Sequence, residues 1–159
     1  MAVRLQFKNR DKILKDIVVA EDRLIAAGGA AVNEVVGMIH HDFRNAASLT
    51  DHTLRDLRAL GHPYATRAPQ PIHSPMWLVH KQSGTLYNAI RKKSASLGSM
   101  IRGEVYLDIG EAPYGIFVLF GTKKMVRRDF MRETLNENID LYIDGFMDVL
   151  RSASVKWHR

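Results

Sequence analysis

Residues 113–131, PYGIFVLFGTKKMVRRDFM, carry two helix signals with a basic loop between them. The apolar run Tyr114, Ile116, Phe117, Val118, Leu119 and Phe120 stops at Gly121-Thr122. Pro113 has no backbone N–H and suits a first helical turn, and Gly121 suits the left-handed position just past a helix end. The span between them makes about two turns of helix. Lys123, Lys124, Arg127 and Arg128 follow, and Asp129 then stands where a carboxylate accepts from the free N–H groups of a helix opening at Phe130. A cationic loop held between two helix ends is an interaction element rather than a catalytic pocket.

Before this stretch, Leu14, Val18, Ile25, Val32, Val35, Ile39 and Phe43 recur at three-, four- and seven-residue spacing, with Ile13, Ile17, Leu24, Ala31 and Val36 widening the stripe. The spacing predicts a helix from Lys12 over some 36 residues, about 54 Å long. That is more helix than one small domain can cover, which implies that partner subunits lie on part of it. Gly28-Gly29 leaves a second possibility, a break there into two helices that fold back on each other. Ahead of the helix, Val3, Leu5 and Phe7 alternate with Arg4, Gln6 and Lys8 as a short strand.

The strand signal is clearest in IRGEVYLDI, residues 101–109. Ile101, Val105, Leu107 and Ile109 point one way, and Arg102, Glu104 and Asp108 the other. One solvated face implies an antiparallel sheet backed by helices, with residues 90–96 as hairpin partner across a turn at Leu97-Gly98-Ser99. Ser83 is placed to cap the helical turn GTLYNAI before it. The last helix, from Phe130 to about Ser152, carries Leu135, Ile139, Ile143, Phe146 and Leu150 on one face. Thr50 or Asp51 suits the cap of a short helix bearing Leu54, Leu57 and Leu60, ended by Gly61 and Pro63. Residues 62–82 hold four of the five prolines and read as an extended loop, too long for a passive connection. Tyr64 and Trp77 are its anchors, toward a neighbouring subunit. The expected fold is α+β, one domain over residues 1–159, with long N-terminal and C-terminal helices packed on a small antiparallel β-sheet and a long proline-rich loop.

The search for chemistry returns little. With no cysteine there is neither a disulfide framework nor a thiolate zinc site. His40-His41-Asp42 and the pair His52 and Asp56 are the clusters nearest to metal ligands, yet spacing supplies no third ligand, so they read as polar helix surface. No nucleophile motif and no phosphate-cradling glycine pattern occurs. An enzyme is the least supported class, and no cofactor is expected. The chain lacks the apolar run of a signal peptide or membrane span, so a cytoplasmic protein without membrane contact is expected. The net charge of +6 suits a polyanion, an acidic protein face or a merely solvated surface. Its cations cluster as Arg91, Lys92 and Lys93, and as Lys123, Lys124, Arg127 and Arg128. As phosphate contacts these groups give non-specific, salt-sensitive binding.

The order of these features resembles the small tail-component proteins of long-tailed bacteriophages, known as tail completion, head–tail joining or neck proteins. VRLQFKNRDKILKDI matches a short strand running into a long helix, and QSGTLYNAI is similar to a step before the hairpin. VYLDIGEAPYGIFVLFGT resembles the family's strand and following helix, and RRDFMRETL the start of its closing helix. Asp129 stands where that family commonly has proline, and Leu119-Phe120 where it often has an acidic residue. The resemblance implies a structural virion protein, assembled in the host cytoplasm as a homo-oligomeric ring, commonly a hexamer. Its neighbours would be the head connector or stopper and the tail tube or terminator, with genomic DNA passing through a lumen that the basic loops line. A tail terminator capping the tube is the alternative within this reading. A free-standing, non-specific nucleic-acid-binding protein is the alternative outside it.

Overall fold

The computed structural model describes residues 10–48, 79, 84–123 and 127–155. Helix α1 (Arg10–Ala46) leads to a short helix α2 (Thr85–Ala89), a hairpin of β1 (Ile90–Leu97) and β2 (Met100–Leu107), a two-turn helix α3 (Gly115–Phe120) and the closing helix α4 (Phe130–Val155). The architecture is α+β, as expected: two long helices and a small antiparallel sheet. The strand expected at residues 3–7, the short helix after Thr50 and the proline-rich loop, Val79 apart, lie outside the described residues.

The hydrophobic core sits at the C-terminal end of α1. Phe43, Ala46 and Ala47 meet Val79, Leu86, Ala89, Ile90, Ala112, Val118 and Phe130, so every described element except β2 contributes a buried residue there. Val105 and Leu107 of β2 pack against this cluster from the side. The Val79 N–H donates to Ala46 O at 2.8 Å, and the Arg128 N–H to Val118 O at 2.8 Å, so backbone bonds stitch the segments entering the core.

α1 runs unbroken through Gly28-Gly29, and the fold-back possibility is not adopted. The glycine is a contact point instead: a Cβ on Gly28 would lie 3.1 Å from Ile101 Cδ1. The hairpin thus rides on one side of α1, and α4 takes another. Tyr142 bonds Asp42, Gly145 faces Met38, and Val149, Ser152 and Ala153 lie across from Arg23, Ala26, Ala27 and Ala30. Numbers rise on α4 as they fall on α1, so the two helices are antiparallel. Small residues at the seam let their backbones approach.

The hairpin register pairs Ile90 with Leu107 and Leu97 with Met100 around a turn at Gly98 and Ser99. Period two sends Ile90, Lys92, Ile101, Gly103, Val105 and Leu107 toward α1, and Arg91, Lys93, Arg102, Glu104 and Tyr106 away from it. Ile109 does not continue the inner face. The strand ends at Leu107, the Asp108 side chain accepts the Gly110 N–H at 2.9 Å, and Ile109 sits exposed in the turn. The cap position of α2 is Gly84, at a positive φ of 81° and without a side-chain cap, and Ser83 lies outside the described residues. α3 begins after Tyr114 and stops where Gly121, at φ 74°, returns its N–H to Phe117 O. The expected cap of α4 is present: Asp129 Oδ1 accepts the Arg132 N–H at 3.3 Å.

Gly103 is where the sheet comes nearest to α1. A Cβ there would stand 2.3 Å from Val36 Cγ2 and 2.8 Å from Val32 Cγ1, with no room for either branched side chain to withdraw. Gly103→Ala should therefore destabilise the fold by about 1–3 kcal/mol, read as a lowered denaturant midpoint. An unchanged midpoint would mean that the hairpin does not seat on α1 at this point.

Candidate functional site

Three kinds of surface stand out among the described residues: an uncovered apolar helix end, a charged sheet face, and a cleft where cations converge. The first follows from lengths. The hairpin reaches α1 as far as Gly28, and the far end of α4 lies opposite Arg23 to Ala30. α1 continues past both. Leu14, Ile17 and Val18 there are 49%, 57% and 55% exposed, and Val19 and Leu24 are exposed as well. Leu14, Val18 and Ile25 extend, at spacings of four and seven, the stripe of Val32 and Val36 that the hairpin covers further on. Ile139, Ile143 and Met147 on the outer side of α4 and Phe117 and Phe120 on α3 are further exposed apolar groups. No described helix is long and apolar enough to cross a membrane.

The sheet face divides the first basic run. Arg91 and Lys93 lie on the outer face, where Arg91 pairs with Glu111 at 2.6 Å and Lys93 with Glu104 at 2.7 Å. Arg102 reaches the same Glu104 at 2.5 Å, and Lys93 lies over the Tyr106 ring. The Lys93 bond holds the Glu104 carboxyl below its ordinary value. Lys92 points the other way, its Nζ 3.7 Å from where a Cβ on Gly37 would be.

The second basic run divides too. Lys123 is exposed, and Arg127 pairs with Asp129 at 2.6 Å. Arg128 is a correction to the solvent-facing role expected of it: at 5% exposure it is buried beside Phe130, because its backbone is drawn in to Val118 O. Lys124, Tyr64 and Trp77 lie outside the described residues.

The cleft was missed from sequence. It holds about 460 Å³ and is lined by His40 and Arg44 of α1, Asn88 of α2, Ile90, Arg91 and Lys92 of β1, and Glu111. His40 Nε2 donates to Ile90 O at 3.1 Å, tying α1 to the start of the sheet. Burial first, and then the positive charges of Arg44 and Lys92, push the His40 pKa below its ordinary value, against the pull of the Ile90 bond. Arg44 Cζ lies over the Tyr87 ring, 3.8 Å from its centroid. The spacing of His40 and Arg44, one helical turn apart, was the one available signal.

His40-His41-Asp42 is not a ligand cluster. His40 turns to Ile90, and Asp42 accepts the Tyr142 hydroxyl at 2.8 Å on the α4 side. Among the described residues no group of three or more His, Asp or Glu is placed to hold a metal ion; His52 and Asp56 lie outside them. Burial, and then the Asp42 bond, raise the Tyr142 pKa far above its ordinary value. No family model, curated protein or solved structure matches the chain.

Tyr142→Phe should cost about 1–2 kcal/mol of unfolding free energy by leaving Asp42 short of a donor at the helix seam; an unchanged denaturation curve would contradict that bond. His40 gives a pH signature. Its folded pKa is depressed, so its contribution to stability is present above the ordinary value of 6.5 and is lost as pH falls through the folded value. Melting temperatures measured from pH 7.5 down to 5 should show this loss, and His40→Gln should flatten that part of the profile.

Proposed function

We propose that the chain is a structural subunit of a ring at the head–tail junction of a tailed bacteriophage, joining the head connector or stopper to the tail tube. The observation that carries the reading is the uncovered N-terminal third of α1. About 20 Å of this helix extends past every described element that packs on it, and Leu14, Ile17 and Val18 lie exposed along it. Covering each of them by a neighbouring subunit contributes up to about 1.5–3 kcal/mol. The further exposed groups on α3 and α4 give the same chain other faces to meet a neighbour, as a head-to-tail ring contact requires. The order of motifs similar to the tail-component family supplies the place in the virion. A tail terminator, which uses the same kind of contacts, is the alternative within this reading.

The free-standing nucleic-acid binder is less favoured. On the outer sheet face Arg91, Lys93 and Arg102 share Glu104 and Glu111, so the run that looked most like a polyanion surface is largely compensated.

Electron cryo-microscopy of purified virions should show this chain as a symmetric ring between head and tail. Ile17→Asp and Val18→Asp should leave the isolated subunit's stability within about 0.5 kcal/mol, because both positions are exposed, yet keep it out of assembled particles. Absence of the chain from virions, with heads and tails still joining when it is deleted, would overturn the proposal.

A further inference from the structure

The cleft between α1, α2 and β1 has the makings of a site that none of the preceding roles uses. Arg44, Arg91 and Lys92 line it, with Asn88 adding a side-chain amide, and among the described residues Glu111 is the one carboxylate on its wall. Glu111 is committed to Arg91 at 2.6 Å. Among the described residues no carboxylate pairs with Lys92, and Arg44 Nε is buried without an acceptor. The Tyr87 ring, 3.8 Å from Arg44 Cζ, restrains the guanidinium. The walls are held by the core itself: Ile90 is 1% exposed, and His40 bonds its carbonyl.

We propose that this cleft binds an oxyanion of the phosphate class. Three cations against one carboxylate leave two positive charges, which a phosphate dianion neutralises and a lone carboxylate would only half satisfy. Arg and Lys donors on the cleft wall make charge-assisted hydrogen bonds to a phosphate oxygen, stronger than those to a neutral acceptor. His40, faced by Arg44 and His41 on its own helix and by Lys92, Arg91 and Glu111 across the cleft, reports on occupancy: added negative charge favours its protonated form. The same chemistry is offered by inorganic phosphate, by a nucleotide, or by a backbone phosphate of nucleic acid.

The test is a titration of the whole chain with inorganic phosphate, against chloride at matched ionic strength, following the His40 ring resonances assigned through His40→Gln. A saturable shift with a raised His40 pKa is expected. Lys92→Gln, on an exposed strand position, should weaken binding about tenfold, the loss of one charge-assisted bond. Arg44→Lys keeps a charge but loses the fork and should weaken it as well. Glu111→Gln removes the competing carboxylate and should tighten it severalfold, an effect that misfolding cannot mimic. Saturation by phosphate and a nucleoside monophosphate but not by a short DNA duplex would identify a small-molecule ligand. Saturation by the duplex too, with the same dependence on Lys92 and Glu111, would identify a backbone contact. No saturable response to phosphate, or an affinity that Lys92→Gln and Glu111→Gln leave unchanged, would sink the proposal.

Discussion

α1 is longer than anything among the described residues that lies against it, and the rest of the structure is arranged around that mismatch. Its C-terminal end is the floor of the core, where Phe43, Ile90, Val118 and Phe130 are shut away from water. The hairpin and α4 then flank the helix on separate sides, each reaching only part of its length. Beyond them the helix persists because extending an existing helix needs no new nucleus and adds about one hydrogen bond per residue fixed. Its apolar stripe persists as well, so the same periodicity that builds the core continues into solvent.

The elements that could be read from the sequence are those fixed by local rules. The 3.6-residue period located α1 and α4, the two-residue period located β2, and Asp129 announced the start of α4. Gly28-Gly29 was ambiguous because a glycine pair looks alike whether it breaks a helix or admits a neighbour. Only the approach of Ile101 distinguishes the two. The basic runs misled for a related reason. Three consecutive cations on a strand alternate between faces, so Arg91 and Lys93 fell among carboxylates while Lys92 turned toward α1. Adjacent Arg127 and Arg128 parted at the entrance to α4, one to Asp129 and one into the core.

The cleft shows where local reading stops. His40 and Arg44 share a face of α1, but Asn88, Lys92 and Glu111 arrive from some 50 to 70 residues away, and only the docking of the sheet start against α1 brings them together. Nothing in the spacing of either group announces the other. The contact that positions them is the His40 bond to Ile90, and Ile90 is also among the most deeply buried residues of the core. The floor of the cleft is therefore anchored to the core beneath it.

On the ring reading, the two ends of α1 divide the work. The core end is complete within one chain, so the subunit folds before it meets a partner. The far end gains most of its packing only in the assembly, which makes its order a function of subunit concentration or of a docking surface that gathers subunits. Bringing a neighbour onto these turns has an association and ordering cost, offset in part when Leu14, Ile17 and Val18 are covered. A single weak contact does not recover that cost, whereas closure of a ring, in which every copy both covers and is covered, recovers it at every interface. On that reading an uncovered helix end of this kind would favour monomers in dilute solution and rings on a template, the order of events that joining two separately built assemblies requires.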